Sequence, residues 1–173
     1  MASILNVDQI NNAAGTSAVT IDSGGNMQIP GHVMQVVQAT STSVVSTTST
    51  GFVATGFSAS ITPTSSSNKI LVMGSLPIYL LNISGGAHGV ITVYRGGVAS
   101  GTDISSSPTA FGLAQSFSTG VSTISMAAFH AIDSPATTSS VTYEVALKAT
   151  GTVTPNIAIN QDQYSLTLME IAQ

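Results

Sequence analysis

The sequence predicts an all-β fold, a jelly-roll-like antiparallel β-sandwich preceded by a short extended N-terminal arm. Three observations carry this reading. The strong helix formers Leu, Glu, Lys and Arg are scarce, while Val, Ile, Thr, Ser and Gly fill every window. Turn clusters recur at sandwich spacing: Thr62-Pro63-Thr64-Ser65-Ser66-Ser67-Asn68, Ser84-Gly85-Gly86, Ser105-Ser106-Ser107-Pro108, and Asp133-Ser134-Pro135 running on to Ser140. Between them, apolar and polar residues alternate with a period of two, the repeat of a half-buried strand.

Taken in order, residues 1–31 form the arm. They contain no Lys or Arg, and their strand-like pieces, Ile4–Ile10 and Ser17–Asp22, are each followed by a loop. Alone these pieces bury no core, so they must pair with neighbours, and Pro30-Gly31 marks the boundary. Residues 32–173 form the sandwich, with strands expected over His32–Ala39, Phe52–Ile61, Lys69–Leu81, His88–Arg95, Phe111–Ser118 and Val121–Ile132. Two more close the set. Val141, Tyr143, Val145 and Leu147 alternate with Thr142, Glu144, Ala146 and Lys148, and Tyr164, Leu166 and Leu168 alternate with Ser165, Thr167 and Met169. Eight short antiparallel strands suit a jelly roll or a similar double sheet. The stretch Ile70-Leu71-Val72-Met73 and the run Ile124 to His130 are apolar on both faces, which fits either a packed core or a contact with another subunit.

Composition narrows the function classes. The 173 residues include 3 Lys+Arg, 7 Asp+Glu, no Cys and no Trp, which suits one domain. Charged residues make up 6%, where a soluble domain usually carries about 25%. Hydroxyls replace them, with 48 Ser and Thr in the chain. Three cations and a net charge of −4 make no track for phosphates, so neither nucleic acid nor an anionic membrane surface is an expected partner. No run approaches the length of a spanning helix, and the opening residues carry neither a basic region nor a long apolar one. A chain this apolar and this weakly charged is comfortable when part of its surface is covered, most simply by copies of itself.

Chemistry-bearing patterns are sparse. His32, His88 and His130 lie far apart without metal-ligand spacing, although one His per chain around a three-fold axis would make a three-nitrogen site. Serine is abundant, but no G-x-S-x-G elbow occurs. Paired carboxylates for glycoside cleavage would need two of Asp8, Asp22, Asp103, Asp133, Glu144, Asp162 and Glu170 to face each other at about 5 to 9.5 Å. Four of these fall in expected turns or loops. Asp22–Asn26 and Ser84–Gly89 read as tight turns requiring positive φ rather than ion-binding loops. Lys69, Arg95 and Lys148 are the only cations, and carboxylate partners are expected for them, with a cross-strand one for Lys148. Arg95, before Gly96-Gly97, reads most simply as a surface residue beside a turn. No catalytic residue, metal or cofactor is expected.

The segment Ile4-Leu5-Asn6-Val7-Asp8-Gln9-Ile10-Asn11-Asn12-Ala13-Ala14-Gly15-Thr16-Ser17-Ala18-Val19-Thr20-Ile21-Asp22, followed by Gly25-Asn26-Met27-Gln28-Ile29-Pro30-Gly31-His32-Val33, resembles the N-terminal part of tail-fibre-like proteins of tailed bacteriophages of marine and cyanobacterial hosts. Ser67-Asn68-Lys69-Ile70-Leu71-Val72, Asp133-Ser134-Pro135 and Leu166-Thr167-Leu168-Met169-Glu170-Ile171 are similar to the small β-rich domain that often follows it. The resemblance implies a virion structural protein, usually a homotrimer, anchored to other virion proteins by its N-terminal part. On that reading Ile4, Leu5, Val7, Ile10, Val19 and Ile21 dock the arm, and Ile70, Val72, Met73, Ile124, Met126 and Phe129 line the trimer interface. The chain is shorter than typical fibres and lacks a long shaft, which keeps head-decoration and baseplate roles open. A weak carbohydrate-binding module, contacting host surface glycan through Tyr79, Tyr94, Phe111 or Phe117, is the alternative.

Overall fold

The computed structural model describes residues 7–21, 24–25, 27–81, 86–105, 112–119, 122–151, 156–159 and 163–173. Every ladder among them is antiparallel, and no described residue is helical. The arm contributes β1 (Gln9–Asn11), β2 (Ser17–Ile21) and β3 (Met27–Gln28). The sandwich follows with β4 (Val33–Ser41), β5 (Val45–Thr47), β6 (Val53–Ile61), β7 (Lys69–Leu81), β8 (Gly86–Arg95), β9 (Thr102–Asp103) and β10 (Ala114–Thr119). It ends with β11 (Thr123–Asp133), β12 (Val141–Gly151), β13 (Asn156–Ile159) and β14 (Tyr164–Ile171).

Eight long strands make two sheets of four. The first sheet runs β11-β7-β14-β4 and the second β10-β8-β12-β6. The chain changes sheet at almost every connection, and only β8 and β10 follow each other within one sheet. This is the winding of a jelly roll. All eight expected strands are present, and β7 has the expected bounds. The short strands β5, β9 and β13 were not expected; β9 and β13 pair with the long strands β8 and β7, and β5 pairs in turn with β13. Proline inside β7 is accommodated by a break in pairing. On one edge of β7 the β14 ladder ends at Ser75 and the β13 ladder starts at Ile78, so Pro77, which has no N–H to give, falls in the gap.

The core lies between the sheets. Ile70, Val72, Leu76, Ile78 and Leu80 of β7 and Leu166 and Leu168 of β14 meet Ile61, Tyr143, Val145 and Leu147 of the second sheet, all at most 2% exposed. The Phe57 and Tyr164 rings meet edge to face across the sheets at 4.7 Å, and the Tyr164 hydroxyl donates to the Ser43 carbonyl at 2.8 Å. Each such aromatic contact adds about 0.5–1.5 kcal/mol beyond area burial.

The arm departs from the extended segment expected of it. It folds into its own three-stranded sheet, β1-β2-β3. The reason is local. Asn12 Oδ1 accepts from the Ala14 and Thr16 amides, both at 2.9 Å, and Gly15 takes a φ of 83°, so the chain reverses tightly between β1 and β2. The Ser84–Gly89 reading also changes. Gly86–Gly89 opens β8, and Ser84 and Gly85 lie outside the described residues. Gly25, in the other expected turn, has a φ of 82°.

One close approach fixes the core under β11. Phe129 pairs across the ladder with Gly74, and a Cβ added at Gly74 would run into its ring. Gly74→Ala is therefore expected to lower unfolding free energy by about 1–3 kcal/mol, the usual cost of overpacking. In urea denaturation, adding Phe129→Leu should recover part of that loss, whereas a simple sum of the two single effects would refute the contact.

Candidate functional site

The two outer faces of the sandwich differ. On the second sheet Val90, Thr92 and Ala146 point outward in the ladder yet are fully buried, so that face is covered. Thr92 Oγ1 donates to Asp103 Oδ1 at 2.6 Å, and the Phe52 ring sits 6.0 Å edge-on from Tyr94 and 4.4 Å beneath the Lys148 ammonium. Glu144 Oε2 accepts from the Val98 amide at 3.2 Å. Glu144 and Lys148 thus share one face, as their spacing predicts, but Lys148 meets a ring where a carboxylate was expected. Burial, then the nearby Asp103 charge, raises the pKa of Tyr94.

The first sheet has a bare outer face. Its register sets Ile132 of β11 beside Leu71 of β7, Leu71 beside Met169 of β14, and Met169 beside Val36 of β4. One apolar row therefore crosses all four strands, and its two ends, Ile132 and Val36, are 61% and 56% exposed. Met126 and Ile124 continue the face along β11, at 63% and 57% exposed, opposite Pro77 and Tyr79. Lys69 and His130 are its only basic residues, and no carboxylate points outward from these four strands. Exposed apolar surface that is contiguous across strands marks a contact site.

The trimer-interface residues expected from sequence divide by strand parity. Ile70 and Val72 are 0% exposed and Phe129 is 6% exposed, so these three are core and offer no surface to a partner. Met73 is half-buried on the bare face, and Ile124 and Met126 stand out on it. Leu71, Ile132, Met169 and Val36, which share the bare face, were not among the expected residues, because which parity faces inward becomes visible only with the register. In the arm, Ile10 is 50% exposed, Val7, Val19 and Ile21 are half-buried, and Ile4 and Leu5 lie outside the described residues. The aromatics expected to meet a glycan do not converge: Tyr79 lies on the first sheet, Tyr94 on the second, Phe111 is outside the described residues, and nothing is described of the Phe117 side chain.

The carboxylates are engaged in closing the sandwich. One row at the end of the first sheet reads Asp133, Ile70, Glu170, Gln35 across four strands. Asp133 receives Arg95 Nη1 at 2.9 Å and the Tyr143 hydroxyl at 2.8 Å, both from the opposite sheet. Arg95 is thus a tie between the sheets, a correction to its reading as a surface residue beside a turn. Burial first, and then the bond to Asp133, push the pKa of Tyr143 far up. Glu170, fully buried, receives Gln35 Nε2 at 2.6 Å, Asn68 Nδ2 and the Thr64 amide at 2.7 Å, and Thr64 Oγ1 at 2.8 Å. Burial pushes its pKa up, but bonds from Asn68, Gln35 and Thr64 outweigh that and hold it below the ordinary value. Neither carboxylate is poised over an open cleft. The open cleft of about 420 Å³ beside Arg95 is lined by Glu144, Ser58, Thr142 and the Gly96-Gly97 turn. Among the described residues no cluster of His, Asp and Glu is arranged to hold a metal.

No protein-family model and no curated protein matches the chain. Among solved structures, a chain from the infectious bursal disease virus Gx strain is 17% identical, over 94% of this chain and 37% of that one, with a TM-score of 0.47. A chain from the VP2 subviral particle of the same virus is 13% identical, over 98% of this chain and 42% of that one, with a TM-score of 0.41. The present chain spans well under half the length of either. Likeness this distant leaves function to be argued from the chain itself.

The Glu170 network has a pH signature. A carboxyl whose pKa is lower folded than unfolded stabilises the fold above its unfolded value, and that contribution is lost as pH falls through the folded value. Glu170→Gln, which sets an amide donor against donors, should cost about 2–4 kcal/mol near pH 7. The gap between wild type and variant in urea denaturation should narrow as pH drops below 4.5, the ordinary glutamate value. A gap unchanged at pH 3 would contradict the network.

Proposed function

We propose that this chain is a structural subunit of a virion, acting by assembly rather than catalysis, and that the bare face of its first sheet is a contact between copies. The observation that carries the assembly reading is the apolar row Ile132–Leu71–Met169–Val36, exposed at both ends on a face without a carboxylate. The virion setting is supported by the resemblance of the opening and closing segments to phage tail-fibre-like proteins. A homotrimer is the copy number that resemblance implies. No described residue belongs to a shaft, so a flat-sided sandwich suits a head-decoration or shell position as well as a short spike on the tail or baseplate.

The chemistry fits such a role. Copies joined through a face that carries no carboxylate and only Lys69 and His130 as basic groups bury little unpaired charge, and the hydroxyl-rich loops keep the remainder in water with little dependence on salt. The jelly roll itself is host to many functions and adds no weight.

Met126→Glu and Ile132→Glu test the reading, since each sets a carboxylate into the contact. Burying it unpaired costs about 3–5 kcal/mol, or roughly two to four orders of magnitude in dissociation constant. Size-exclusion chromatography with light scattering at micromolar concentration should show wild-type oligomers and monomeric variants with unchanged far-ultraviolet spectra. A monomeric wild-type protein would overturn the proposal.

A further inference from the structure

We infer that the arm of one copy lies across the bare face of another, covering the end of that face around Val36 and Ile132. This rests on the reading of the face as a contact between copies and names what fills part of it. The arm has surface left to bury: Ile10 and Met27 are 50% and 59% exposed. Its strands of three, five and two residues share no ladder with the sandwich, and sheets so small are not stable without a surface to pack on.

Charge points to the same surface. Residues 1–31 contain Asp8 and Asp22 and no Lys or Arg, whereas the face carries Lys69 and His130 and no carboxylate. Geometry brings the arm to the border of the face. The Gly31 amide donates to the Ala172 carbonyl at 2.8 Å and the Ala172 amide to the His32 carbonyl at 2.9 Å, one step before Val33 pairs with Ile171 at the end of β14. The described residues of the arm do not cover the face of their own chain. With them in place, Val33, Val36 and Ile132 remain 51%, 56% and 61% exposed. At Gly31 the chain turns through a φ of 84°, a left-handed conformation that suits glycine at the pivot.

Area supports the assignment as well. Three gaps between strands of about 4.8 Å by ten residues of about 3.3 Å give the face roughly 500 Å². A stable contact buries about 800 Å² per partner, and an arm from the other copy supplies the remainder.

The chain has no cysteine, so introduced thiols report cleanly. Ile10→Cys and Val36→Cys, both at exposed positions, are placed in separate full-length chains of different mass, mixed, and joined with a short bis-maleimide linker. The expected result is a mixed dimer formed at least ten-fold faster than the dimers of either chain alone. A chain carrying both substitutions that closes on itself as a monomer would overturn the inference, because the arm would then cover its own face. Oligomers seen by light scattering without mixed cross-links would overturn it while leaving the contact between copies standing. Monomers throughout would remove both.

Discussion

Strand β7 carries thirteen residues through the middle of its sheet, and the two-residue repeat of its side chains divides them between two environments. Ile70, Val72, Leu76, Ile78 and Leu80 are fixed inside the sandwich, and Leu71, Met73 and Tyr79 are thereby turned to the outer face, along with the buried Pro77. Both sets are apolar, so a slip of one residue would exchange two hydrophobic faces at little cost in burial. Register must therefore be held by something other than hydrophobicity. The Phe129–Gly74 contact does this on one side of β7, because only a residue without Cβ accepts the ring. The row Asp133–Ile70–Glu170–Gln35 does it at the end, because a slip would carry two carboxylates away from their donors.

That row also explains where scarce charge is spent. Of ten charged side chains, Asp133, Glu170 and Arg95 are bound up in closing the sandwich. Removing them from the surface leaves the exterior still less charged than the composition suggests. Of the other seven, Glu144, Lys148 and Asp103 belong to the covered second sheet, Lys69 stands with His130 on the first, and Asp8, Asp22 and Asp162 lie outside both sheets' described strands. A low content of charged residues thus becomes an asymmetric molecule, with one clothed side and one bare.

Much of the fold was legible, because a strand of eight or more residues displays its period whatever it packs against. Val141–Lys148 and Tyr164–Met169 are examples. Strands of two to four residues, such as Thr102–Asp103 and Asn156–Ile159, have no period to display and exist because a longer neighbour offers an edge. The bare face was half legible. Sequence marked Ile70 to Met73 and Ile124 to His130 as apolar on both faces, but parity alone does not say which face turns inward, so Ile70, Val72 and Phe129 were assigned to a partner. Glu170 had a signal that could have found it. It continues the inward parity of Tyr164, Leu166 and Leu168, and a carboxylate in that position requires donors.

The bare face and the Glu170 network are coupled through adjacent residues of one strand. Met169 lies in the exposed apolar row and Glu170 in the buried polar one, and β14 joins them by a single peptide unit. Any movement that released Glu170 from Gln35 and Thr64 would shift Met169 against Val36 and roughen the face. The polar row thus helps to hold β14, and with it the apolar row, in register. Sheet faces pack by close side-chain contact that tolerates little displacement. If the bare face is the contact proposed above, the few charges that are buried act on assembly more than those in water, because they hold in register the strand that carries the face.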